Sequence, residues 1–208
     1  MIWAVILAAG ESRRMGTQKL LLPFGDTTVV GAVARTAAAS RADRTLVVLG
    51  ADREAIRREL EPPGRIEVPE APCLAHKAIA FTVNEDYPLG MLTSIQAGFR
   101  ALPAGAGAAV ILLGDQPFLS PRVVDTVIEA REAGGRGIVI PTFQGRRGHP
   151  ILIGLEHRDE ILALDASEGL RALMRAHAED ILEVEVPEAG ILRDLDTPED
   201  YAGLPKLN

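Results

Sequence analysis

Ile2-Trp3-Ala4-Val5-Ile6-Leu7-Ala8-Ala9-Gly10-Glu11-Ser12-Arg13-Arg14-Met15-Gly16-Thr17-Gln18-Lys19 opens the chain, directly after Met1. Ile2–Leu7 is a short unbroken apolar run and reads as a strand buried on both faces. The residues after it are of another kind. Ala8, Ala9 and Gly10 let the backbone approach a ligand closely, and glycines let N–H groups turn inward onto phosphate oxygens. Arg14 and Lys19 add positive charge where a triphosphate needs it. A buried strand that runs into a phosphate-cradling loop points to an open α/β sheet, in which ligands bind beyond the carboxyl ends of the strands.

The rest of the chain fits that frame. Strands are expected at Thr45–Leu49, Ala78–Val83, Ala108–Leu113, Gly137–Ile140 and Ile181–Val186. Helices are expected at Thr28–Ser40, Asp52–Leu60, Leu92–Leu102, Pro121–Ala133, Glu156–Leu164 and Glu168–Ala178. Ser120 reads as an N-cap, with Pro121 in the first turn. Alternating strands and helices imply a mostly parallel sheet covered on both faces, a Rossmann-like three-layer α/β/α arrangement. The rule for such sheets directs attention to the residues just after Leu7, Val83, Leu113 and Ile140. No repeat or low-complexity linker interrupts the pattern, and residues 1–208 read as one domain. Glu61–Lys77, with four prolines, is the least regular stretch and reads as a surface excursion.

Bulk properties narrow the function classes. The formal net charge is -7, which disfavours non-specific binding to nucleic acid or anionic membranes and means that any phosphate must be held by local Arg and Lys. The single cysteine, Cys73, rules out an internal disulfide and fits a reducing compartment. The apolar-then-basic N-terminus is the reverse of a signal peptide, and no apolar run approaches the roughly 20 residues of a membrane span. The expected location is the cytoplasm, with no nucleic-acid or membrane partner. Cys73 and His76 together are too few ligands for a structural zinc site.

Spacing excludes two familiar phosphate loops. A Walker A motif needs Gly-Lys-Ser/Thr, whereas Lys19 lies three residues beyond Gly16 and is followed by Leu20. Counted from Gly10, Ser12 and Met15 occupy the places where the dinucleotide fingerprint needs its second and third glycines. That weakens a rival reading as an NAD(P)-linked oxidoreductase on the same scaffold. The plain alternative is a basic surface loop after a buried strand. The full run of small residues, Ser12, Arg14, Gly16 and Lys19 favours the nucleotide site.

The string from Leu7-Ala8-Ala9-Gly10 through Ser12, Arg14-Met15-Gly16 and Lys19 to Leu21-Leu22-Pro23 resembles the signature loop of the MobA-like nucleotidyltransferases, within them the molybdenum cofactor cytidylyltransferase (MocA-type) branch. The resemblance implies the nucleotide-diphospho-sugar transferase fold. It implies that Leu7, Ala8, Ala9, Gly10 and Ser12 lie against the nucleotide, with Arg14 and Lys19 on its phosphates as the catalytic cations. Asn84-Glu85-Asp86-Tyr87-Pro88-Leu89-Gly90-Met91 is similar to the family's second motif, where Pro commonly stands in place of Glu85. It adds Asn84, Gly90, Met91 and Ser94 to the nucleotide pocket. Taken by itself, this stretch is a polar strand-to-helix loop.

Leu113-Gly114-Asp115-Gln116-Pro117 is similar to the family's metal motif. An acidic group at a strand's carboxyl end is well placed for Mg²⁺, which takes one or two carboxylates plus substrate phosphates and waters. The alternative is a turn aspartate bonded to nearby backbone. Asp194-Leu195-Asp196-Thr197-Pro198-Glu199-Asp200 resembles the family's closing motif and makes Asp196 a second ligand, while Asp196 or Thr197 also suits a helix cap. Gly148-His149-Pro150 resembles the motif on the acceptor side. It assigns Gln116, Pro117, Arg147 and His149 to acceptor binding, although a solvated basic turn accounts equally well for the arginines. The resemblance implies Mg²⁺ (or Mn²⁺) as cofactor, CTP as donor and a molybdopterin-type cofactor as acceptor, with a molybdoenzyme as client for the product. The guanylyl-transferring relatives tend to have Gly where this chain has Ala9. Guanylyl transfer, or transfer to another phosphorylated acceptor, is the alternative within the family, and a non-enzymatic cofactor-carrying chaperone is the alternative outside it.

Overall fold

The structure is a computed structural model, and it describes residues 1–12, 14–61 and 79–203. Cys73 and His76 lie outside the described residues, as does nearly all of the Glu61–Lys77 stretch.

The elements follow in order. Strand β1 is Ile2–Ala8, and the small hairpin β2 (Pro23–Phe24) and β3 (Thr27–Thr28) leads into helix α1, Val29–Ala39. Next come β4 (Arg44–Leu49), α2 (Arg53–Leu60), β5 (Ile79–Val83), α3 (Met91–Ala101), β6 (Ala108–Leu113) and α4 (Pro121–Gly134). The last third holds β7 (Ile138–Phe143), β8 (Arg146–Arg147), β9 (Ile151–Gly154), α5 (Arg158–Ala163), α6 (Arg171–Ala176), β10 (Ile181–Glu185) and α7 (Pro198–Ala202).

Among the described residues one eight-stranded sheet runs in the order β10-β7-β9-β6-β1-β4-β5, with β8 paired to β7. β5, β4, β1 and β6 are mutually parallel, as are β7 and β10; β9, between β6 and β7, and the short β8 run antiparallel to their neighbours. Alternation along β1 builds a core on each face. Ala4, Ile6 and Ala8 pack with α1, α2 and α4, while Val5 packs with α3, α5 and α6. The mostly parallel, three-layer expectation is met. The carboxyl ends of β1 and β6, side by side in the middle of the sheet, put the loops after Ala8 and Leu113 next to each other.

Several local expectations are corrected. β9 was not anticipated, because Ile151-Leu152-Ile153 is only a three-residue apolar run after Pro150. β7 continues past Pro141 to Phe143. Its ladder with β9 ends at Val139 and that with β8 begins at Thr142, so Pro141 falls in the gap, where a missing N–H costs least. The helix expected over Glu168–Ala178 is confined to Arg171–Ala176. Asp165 accepts from the Ser167 N–H and hydroxyl, and Gly169 has φ +67°, so a turn replaces the first helical residues. Glu156–Leu164 begins as a 3₁₀ turn, Leu155–His157, before α5. Ser120 stands at the N-cap position of α4, but its hydroxyl donates to Glu188 at 2.8 Å instead of accepting from the helix.

Candidate active site

The loop after β1 is stapled by its own polar side chains. The Ser12 hydroxyl donates to Gln18 Oε1 at 2.7 Å and accepts from the Lys19 N–H at 3.0 Å. Gln18 in turn donates to the Gly10 carbonyl at 3.2 Å and to Asp52 at 3.0 Å. Ser12 adopts φ +53°, a left-handed conformation unusual for a residue with a Cβ. These bonds aim the Lys19 side chain across the ends of β1 and β6.

Lys19 Nζ donates to Asp115 Oδ2 at 2.6 Å and to Asp196 Oδ1 at 2.8 Å. Arg14 reaches the other oxygen of Asp196 at 2.9 Å, from an exposed position. The partners arrive from three parts of the chain. Gly114 N–H donates to the Leu7 carbonyl, which docks the start of the Asp115 turn onto β1. Leu195 N–H donates to the Asp115 carbonyl, which lays the Asp194–Asp196 tail beside it. Thr197 then caps α7 in a reciprocal capping box with Asp200, leaving the Asp196 carboxylate turned to Lys19.

Burial opposes the charge on Lys19, but Asp115 and Asp196 outweigh it and hold the ammonium above the ordinary lysine pKa. The Lys19 hydrogen bond, against some desolvation and with help from the Arg14 charge, holds Asp196 below the usual carboxylate range.

A cleft of about 500 Å³ opens over this triad, within the range of small-ligand sites. It is lined by Leu7, Ala9, Gly10 and Leu113, by the polar groups of Ser12, Arg14, Lys19, Asp115, Asp194 and Asp196, and by a wall of Tyr87, Pro88, Gly90, Met91 and Ser94 from the start of α3 and the turn before it. Asn84 is buried behind that wall. Its amide donates to Thr93 at 2.9 Å and Ser94 at 3.0 Å, and its carbonyl accepts from the Asp86 N–H, so it shapes the loop before α3.

The residues assigned to the acceptor sit outside this lining. Gln116 is buried and donates to Asp194 at 2.7 Å, a step behind the cleft. Pro117 lines a separate depression with Phe24, Asp26 and Arg35. Arg147 is paired with Glu183 through both Nε and Nη2. His149 is held by its N–H on the Ile191 carbonyl; burial depresses its pKa while Asp194 and Asp115 pull it upward.

The sequence assigned no site role to Gln18, Tyr87, Pro88 or Asp194, although Tyr87 and Pro88 stand inside the second motif. Asp194 stands two residues before Asp196 in a motif already singled out, and that i, i+2 repeat of carboxylates was the available signal. Gln18 does its work through hydrogen bonds within the loop, which composition does not disclose.

The donor set suits a hard cation. Two carboxylates converge on one ammonium in an open cleft, with Asp194 nearby, and Mg²⁺ or Mn²⁺ takes one or two carboxylates while keeping room for phosphate oxygens and water.

The MobA-like NTP transferase domain matches residues 4–181, and the chain belongs to that family: it is a nucleotidyltransferase. Among relatives, it is 33% identical over 204 residues to purine catabolism protein PucB of Bacillus subtilis (strain 168), covering 95% of this chain and 92% of PucB. It is 28% identical over 199 residues to the molybdenum cofactor cytidylyltransferase of Escherichia coli (strain K12), covering 95% and 92%. The crystal structure of Rv0371c from Mycobacterium tuberculosis H37Rv superposes with a TM-score of 0.79 at 28% identity, covering 97% of this chain and 95% of that one. Rv0371c is also known in complex with manganese (TM-score 0.75, 27% identity, 97% and 96% covered). The fold is that of the nucleotide-diphospho-sugar transferases.

Among the described residues no helix is long and apolar enough to cross a membrane.

Proposed function

We propose that the protein transfers a cytidylyl group from CTP to the phosphate of a molybdopterin-type acceptor, giving a dinucleotide and pyrophosphate. The observation that carries the reading is the convergence of Lys19, Asp115 and Asp196 beneath a small-residue loop at the carboxyl edge of the sheet. In this reading an acceptor phosphate oxygen attacks the α-phosphorus, the bond from the α-phosphorus to the bridging oxygen breaks, and pyrophosphate carries that oxygen away. A phosphate monoester, with a second pKa of about 6, is already ionised at neutral pH and needs no general base. The task of the chain is therefore positioning and charge neutralisation.

Ala9, Gly10 and Ser12 bring backbone up to the triphosphate. Lys19 is the resident countercharge of Asp115 and Asp196, and turns to the phosphates when the donor enters. Arg14, exposed at the mouth, meets the outer phosphates. Asp115 and Asp196 would hold a divalent cation, which supplies neutralisation of charge on the phosphate oxygens. Tyr87, Met91 and Ser94 form the wall available to base and ribose, on a loop braced by Asn84. Gln116 and His149 act from behind the cleft on the acceptor side.

Support for the cytidylyl reading comes from the Escherichia coli relative and from Ala9; the equal coverage of PucB keeps a different phosphorylated acceptor as the second reading. Incubating the protein with each of the four ribonucleoside triphosphates plus molybdopterin, and identifying any dinucleotide by mass spectrometry, tests it. The cytosine dinucleotide is expected; a guanine dinucleotide, or none from any triphosphate, rejects the proposal.

A further inference from the structure

The amino ends of β7 and β10 lie at the opposite edge of the sheet from the cleft, and four titratable side chains gather there. His157 closes the 3₁₀ turn before α5, Glu160 follows one turn later, His177 comes just after α6, and Asp180 immediately precedes β10. The ligating atoms of His157, Glu160 and His177 all lie within 4.8 Å of one another. The two imidazoles meet edge to face with centroids 4.5 Å apart. His177 Nε2 is 2.5 Å from Glu160 Oε2, and His157 Nε2 is 3.0 Å from Asp180 Oδ2.

Asp180 is itself fixed, because its Oδ1 accepts from the Gly137 N–H at 2.7 Å. A side chain at residue 137 would overlap both Asp180 and His157, so the glycine keeps the notch open for that pair. A buried imidazole oriented by a carboxylate that is anchored on backbone is the arrangement that presents histidine to a metal.

We propose that His157, Glu160 and His177 form a second divalent-cation site, separate from the cleft, with Asp180 orienting His157. Two imidazoles and one carboxylate are the nitrogen-rich donor set of Zn²⁺-class ions, whereas Mg²⁺ and Ca²⁺ prefer oxygen alone. His177 and Glu160 are half-exposed, which gives the ion a path from solvent and leaves room for water to complete its coordination. A bound ion ties α5 to the end of α6, the two short helices of that face. The plain alternative is two separate His–carboxylate pairs with no affinity for metal.

The test uses the full chain, stripped with a chelator and titrated with Zn²⁺ by calorimetry, in an Asp115→Asn/Asp196→Asn background that silences the cleft. One equivalent of Zn²⁺ is expected to bind in that background and to raise the melting temperature. Adding His177→Gln or Glu160→Gln should abolish both effects while leaving the far-ultraviolet circular dichroism unchanged, and Asp180→Asn should weaken binding about 10–100-fold. Co²⁺ should give visible absorption bands that vanish with His177→Gln. No Zn²⁺ binding in the silenced background, or binding that neither His177→Gln nor Glu160→Gln alters, overturns the proposal.

Discussion

Lys19 Nζ stands 2.6 Å from Asp115 Oδ2, across 96 positions of sequence. The contact joins the loop after β1 to the turn after β6, and it exists because those two strands are neighbours in the sheet. The same ammonium also holds Asp196, so one cation bridges two carboxylates that would otherwise repel each other. Lys19→Ala should therefore cut kcat/KM by about 10²–10³-fold, the usual consequence of removing one preorganised charge donor. The fold should survive, since Lys19 is at the cleft and not in either core. Pyrophosphate release in the steady state reads the first effect and far-ultraviolet circular dichroism the second. Near-normal turnover would remove Lys19 from the catalytic assignment.

Asp115 and Asp196 differ in ways that predict different phenotypes. Asp115 is the less exposed of the two and sits on the strand-end turn, whereas Asp196 is 32% exposed and shared between Lys19 and Arg14. Asp115→Asn should abolish turnover at every Mg²⁺ or Mn²⁺ concentration. Asp196→Asn should instead raise the metal concentration needed for half-maximal rate, with partial recovery at high metal. Metal-titration curves of the two variants that coincide with wild type would reject the carboxylate pair as the cation site.

The sheet and the first loop were legible because their signals are local: an apolar run, small residues, a lysine at fixed spacing. β9 was not legible, because its three apolar residues gain strand character only from β6 and β7 on either side. The site was legible as a set of residue types. Its division of labour was not, since that depends on which side chain reaches which. Asn84 was expected against the nucleotide and is found bracing Ser94 from behind. Arg147, expected at the acceptor, is engaged by Glu183 on a strand that is distant in sequence. Pairings between residues far apart in the chain carry no periodicity for a sequence reading to find.

His149 provides a pH prediction. Burial depresses its folded-state pKa below the unfolded value of about 6.5, outweighing the opposing pull of Asp194 and Asp115. The unfolded chain then takes up its proton first as pH falls. The stability contributed by the neutral imidazole is complete above pH ~6.5 and is lost as pH drops through the lower folded value. His149→Gln should flatten the stability profile across that window. Denaturant melts of both proteins between neutral and mildly acidic pH check this, and an unchanged slope would show that His149 does not titrate as argued.

Two glycines of the site separate what the fold requires from what a ligand requires. A Cβ on Gly114 would lie 2.8 Å from the Leu7 carbonyl oxygen, a backbone atom of the central strand that cannot swing aside. Gly114→Ala should cost about 1–3 kcal/mol of stability. It should also cost activity out of proportion, because displacing the adjacent Asp115 by 1 Å can lower the rate about 10²-fold. Gly10 has open space where its Cβ would go and no left-handed φ, yet it lines the cleft. Gly10→Ala should melt like wild type and still bind the triphosphate more weakly, because the methyl group occupies the space into which phosphate must come. Thermal melts paired with nucleotide titrations distinguish the two variants. If Gly10→Ala binds triphosphate as tightly as wild type, the loop after β1 does not hold the phosphates through close backbone approach.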